Sequence, residues 1–145
     1  MPFGEHAAWF TFTSDRFDHS SELPSDANAG NRFYGRDVAE LISAGLEKQG
    51  IDASFFDEDW GWQVHGKRPD KAILEMSIYH NPEEDPTKEN EWSLMLRLIS
   101  RGRFRNKELP VDEAAITTLN DVFRQKGIEL NQRPPKREGE IAISP

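Results

Sequence analysis

The chain has 145 residues, 36% hydrophobic and 30% charged, which fits one globular domain able to bury a core without a covalent staple. It contains no cysteine, which excludes disulfides, thiolate metal sites and cysteine nucleophiles. The net charge of −8 is uneven, with −10 in residues 1–100 and +2 in residues 101–145; this disfavours DNA or anionic lipid as the main partner and suits a basic one.

The opening "MPFGEHAAWFTFTS" lacks a basic segment followed by a long apolar one, and no apolar run approaches the ~20 residues of a membrane span. A cytoplasmic protein without a membrane segment is therefore expected. Within "AAWFTFT" (7–13), Ala8, Phe10 and Phe12 alternate with Trp9 and Thr11, which predicts a strand. The stretch 14–31 is rich in Ser, Asp, Asn, Gly and Pro and reads as a long loop.

"FYGRDVAELISAGLEKQG" (33–50) places Val38, Leu41, Ile42 and Leu46 at helical spacing, with Lys48 in the last turn and Gly50 as terminator. Four short apolar runs follow: "IDASFF" (51–56), "WGWQV" (60–64), "AILEMSIY" (72–79) and "WSLMLRLI" (92–99). In the last, Trp92, Leu94, Leu96 and Leu98 share one face, and Ser93, Met95 and Arg97 share the other. A second helix is expected over "DEAAITTLNDVFRQKG" (112–127), with Asp112 as N-cap, a stripe of Ala115, Leu119, Val122 and Phe123, and Gly127 as terminator. The matching ends "KQGID" and "QKGIE" read as one capping solution used twice: a left-handed glycine, then an isoleucine closing on the last turn.

The expected class is α+β: an antiparallel meander of about five strands, spanning 51–99 and joined by the first strand, with two amphipathic helices on one face. Residues 1–131 form the domain, with a short last strand at 128–130, and residues 132–145 a loosely ordered tail. Val38, Leu41, Leu46, Leu94, Leu96, Leu119 and Phe123 are the expected core.

"DEDWGW" (57–62) is the most unusual stretch. Period two sets Trp60, Trp62 and Val64 on one strand face, which reads as core, with Asp57, Glu58 and Asp59 forming the turn before it. The functional alternative places one tryptophan at the surface beside those carboxylates, to receive an Arg or Lys of a partner. Gly61 permits a close approach from a neighbour. A helix such as 33–50, then a short strand, then "EDWGW" resembles small uncharacterised bacterial proteins carrying that combination, over roughly residues 31–64. The resemblance implies a bacterial origin and a compact domain, and brings no activity and no catalytic residue.

Histidines stand at 6, 19, 65 and 80 without ligand spacing. His65 and His80 end adjacent strands, but Glu75 has the opposite parity to His80, so no metal site is expected. The "DED" element lacks the remaining positions of a calcium loop. No nucleophile elbow and no phosphate-binding glycine loop is present, and no cofactor is implied.

"RGRFRNK" (101–107) sets Arg101, Arg103, Arg105 and Lys107 around Phe104. It reads as a solvated connector facing the acidic "PEEDPTKENE" (82–91), with anion binding as the alternative. The favoured function is a non-enzymatic interaction or regulatory protein, inhibitor- or immunity-like, whose acidic surface meets a basic protein partner through Asp57, Glu58, Asp59, Trp60, Trp62, Glu83, Glu84 and Asp85. The alternatives are a small-molecule-binding module with a tryptophan-lined pocket, and an enzyme of unrecognised type.

Overall fold

The computed structural model of the chain describes residues 6–17, 35–58, 61–79 and 90–133. In chain order these form β1 (Ala8–Thr13), α1 (Arg36–Lys48), β2 (Asp52–Glu58), β3 (Gly61–Lys67), β4 (Ile73–Tyr79), β5 (Glu91–Arg101), β6 (Asn106–Leu109), α2 (Glu113–Arg124) and β7 (Asn131–Arg133). The protein is α+β, and β2, β3, β4 and β5 form the antiparallel meander in sequence order. β1 lies on the other side of β5 and is followed by β7, while β6 pairs with the last residues of β5.

The sheet has seven strands among the described residues, not about five. The two additions, "NKEL" and "NQR", are short and polar, and carry no apolar alternation to betray them. The last strand falls at 131–133 instead of 128–130. Ile128 is taken by the helix end, donating its N–H to the Phe123 carbonyl at 3.0 Å and burying its side chain. Gln132 and Arg133 pair with Phe10 and Trp9, and the rest of the tail lies outside the described residues.

Both helices end as their sequences dictate. Gly50 and Gly127 adopt φ of 81° and 73°, and the N–H of the following isoleucine closes on Leu46 or Phe123. The Asp112 carboxylate accepts from the Ala115 N–H at 2.8 Å and caps α2.

α1 buries Val38, Ala39, Ile42 and Leu46, and α2 buries Ala115, Leu119, Val122 and Phe123. They pack with Phe10, Phe12, Trp62, Val64, Leu74, Met76, Ile78, Trp92, Leu94, Leu96 and Leu98, the even-numbered face of the sheet. Leu41 departs from expectation and is only partly buried, because it lies at the rim between the helices beside a cavity shared with Arg16 and Lys126. Phe17, from the segment read as loop, joins the core, its ring edge-on to Phe12 and Trp92 at 5.9 and 6.0 Å.

Candidate functional site

The odd-numbered positions of β3, β4 and β5 and the even-numbered ones of β2 face away from the helices, and chemistry gathers there. His65, Glu75 and Arg97 stand directly opposite one another across β3, β4 and β5. Arg97 donates to Glu75 Oε1 at 3.1 Å and places its Nε 3.3 Å from Glu108 Oε1 on β6. Glu108 Oε2 accepts the His6 N–H at 2.9 Å. One guanidinium thus ties two carboxylates, and with them the three strands β4, β5 and β6.

His65 Nε2 donates to Gln63 Oε1 at 2.9 Å and lies 3.7 Å from Glu75 Oε2. Burial holds its pKa below the ordinary 6.5, Glu75 and Glu58 oppose the shift, and Arg101 reinforces it. Gln63 donates in turn to Ser77 Oγ at 3.2 Å. The amide therefore stands between imidazole and hydroxyl, and the pair is not arranged as nucleophile and base. Further along this face Trp9 stacks on Tyr79 with ring centres 6.4 Å apart, and both pack with Met95. Burial raises the Tyr79 phenol above its usual 10, an effect eased by a hydrogen bond from Ser77.

No group of three His, Cys, Asp or Glu side chains suited to a metal ion occurs among the described residues. His80 lies outside them.

Four residues of "DEDWGW" are described, on β2 and β3. Trp62 is a core residue, 7% exposed, with its ring tilted on Phe55 at 6.0 Å. Gly61 is required by backbone: a Cβ there would stand 2.6 Å from the Ile78 carbonyl oxygen. Asp57 and Glu58 end β2, the outermost strand on that side among the described residues. Asp59, Trp60, Glu83, Glu84 and Asp85 fall outside the described residues.

Ala53 donates its N–H outward, to Glu47 Oε1 at 3.1 Å rather than to β3. Antiparallel alternation then turns the Phe55 and Asp57 amides to the same outer edge. Phe56 projects from the other face, 38% exposed, with its ring edge-on to the His65 imidazole at 4.9 Å.

Among the described residues the two ends of the sheet differ in charge. Asp57, Glu58 and Glu91 lie at the end where β2 and β4 finish and β3 and β5 begin. Lys67, Arg68, Lys71, Arg101, Arg103, Arg105 and Lys107 gather at the other, on the β3–β4 and β5–β6 connections and the strand residues beside them. Arg68 is committed there, bonded to Asp70 at 2.7 Å and to both Asp112 oxygens at 3.0 Å. The four cations of "RGRFRNK" are all exposed, as is Phe104, and they flank a strand and its turn instead of a plain connector.

Sequence reasoning missed the Glu75–Arg97–Glu108 cluster and the exposed Phe56. A lone charge inside each of two apolar strands was the available signal, but pairing those charges needs the register. No family model and no curated protein matches the chain. No helix among the described residues is long and apolar enough to cross a membrane.

Proposed function

We propose that the protein is a non-enzymatic interaction module, inhibitor- or immunity-like, whose acidic sheet edge receives an extended basic segment of a partner protein. One observation supports this reading: among the described residues β2 is an outer strand, bearing an exposed Phe56 beside Asp57 and Glu58. An open edge offers backbone hydrogen bonds to an added strand, and side chains on alternate positions set its specificity.

The forces divide by magnitude. Half-buried Asp57 and Glu58 at a strand end contribute about 0.2–1 kcal/mol per ion pair, as surface pairs do, and an Arg or Lys over Phe56 about 0.5–1 kcal/mol. Neither suffices alone, so strand pairing supplies the affinity, and the charge steers the encounter and selects a basic sequence.

A peptide alternating arginine and valine is the direct probe. Its association with the wild-type protein should slow as salt is added, and should slow further in a variant carrying Asp57→Lys, Glu58→Lys and Asp59→Lys that keeps its melting temperature. Binding indifferent to both changes would refute the acidic-edge reading.

A further inference from the structure

A different surface, at the opposite end of the sheet, carries an inference independent of the β2 edge. Residues 101–107 hold four cations and no carboxylate in seven positions, inside a chain of net charge −8. Arg101, Arg103, Arg105 and Lys107 form no ion pair among the described residues. Phe104, in the turn between β5 and β6, is 93% exposed.

The turn is built tightly. Gly102 donates its N–H to the Arg105 carbonyl at 3.0 Å, and a Cβ on Gly102 would stand only 2.2 Å from that oxygen. Glycine is therefore required there, and the hairpin closes on two residues, Arg103 and Phe104, which it projects outward. The Arg103 guanidinium carbon lies 5.9 Å from the Phe104 ring centre.

We propose that the β5–β6 hairpin binds single-stranded nucleic acid, stacking a base on Phe104 while Arg101, Arg103, Arg105 and Lys107 contact the flanking phosphates. Aromatic rings interleaved with cations serve such strands without sequence readout, because every base presents a flat face. The acidic bulk does not forbid the contact. Charges beyond about 8–10 Å are screened at physiological salt, so a short strand at the tip responds to the local cations.

The same reasoning disfavours a planar anionic membrane. Such a surface would face the whole end of the molecule, where Asp52, Asp70, Asp112 and Glu113 accompany Lys67, Arg68 and Lys71. A strand lying on the hairpin meets first the four cations that form no ion pair among the described residues.

Fluorescence anisotropy of a labelled ten-nucleotide oligothymidylate tests the proposal with the full chain. The logarithm of the affinity should fall with the logarithm of salt with a slope of about −2 to −3, as roughly −0.7 per phosphate predicts for three or four contacts. Phe104→Ala should weaken binding about tenfold, and Phe104→Trp should retain it. Arg103→Glu with Arg105→Glu should abolish it, whereas Phe56→Ala at the other site should leave it unchanged. The side chains at 103–105 are exposed, so an unaltered circular dichroism spectrum is expected for each hairpin variant. Absence of oligonucleotide binding at low salt, binding that ignores both hairpin substitutions, or capture by phosphatidylserine vesicles in place of the oligonucleotide would overturn the proposal.

Discussion

His65 reports on the open face of the sheet through its proton. Its imidazole is partly buried, donates to Gln63 and touches the Phe56 ring edge, and its pKa is held below 6.5. In the unfolded chain the same side chain binds a proton near 6.5. Between those two values the unfolded state carries more protons, so stability falls as pH drops through about 6.5 and levels off below the folded pKa. Denaturant titrations at pH 7.5 and 5.5 should show a smaller loss for His65→Gln than for the wild type. Equal losses would mean that His65 titrates alike in both states. A base such as His65 could be named from the sequence, but not its neighbours, because Gln63, Glu75 and Phe56 meet it only through side-chain direction and strand register. The helix ends were legible at this scale. Asp112, Gly50 and Gly127 act within a turn of their own positions, where the sequence is itself the environment.

Between elements, α1 and α2 approach each other closely at Gly45. A Cβ on Gly45 would stand 2.7 Å from Val122 Cγ1 and 2.9 Å from its Cγ2. Alanine gains about 1 kcal/mol over glycine in a helix interior, but overpacking against a stiff β-branched neighbour costs about 1–3 kcal/mol. Gly45→Ala should therefore be neutral to destabilising, and a thermal melt showing clear stabilisation would mean that the helices separate freely. In the strand beneath, Leu94 and Leu96 are fully buried on the helix face, and Leu96→Ala should cost about 2–5 kcal/mol in chemical denaturation. An unchanged unfolding midpoint would place that face outside. "WSLMLRLI" was readable because eight alternating residues separate a packed face from a second one. β6 and β7 were not, since three or four polar residues become strands only when β5 or β1 lies beside them. Arg97, Glu75 and Glu108 share that dependence on partners.

For the whole molecule, the sum of charge conceals its arrangement. The chain reads as acidic followed by slightly basic, yet folding places the 57–58 carboxylates at one end of the sheet and the cations of 67–71 and 101–107 at the other. The α+β class and the meander followed from pattern alone, because local periodicity decides which face of each element is apolar. The polarity of the sheet ends did not, because it depends on which turns fall on the same side. The β2 edge, outermost among the described residues, belongs to this scale as well, since it is recognised only once the strand order is known. Backbone amide shift mapping with the arginine–valine peptide addresses that edge most directly. The expected result is perturbation of the Ala53, Phe55 and Asp57 amides and of the Phe56 ring, with α1 and α2 unmoved. Shifts confined to the helices or to the β5–β6 hairpin, or none at all, would contradict it.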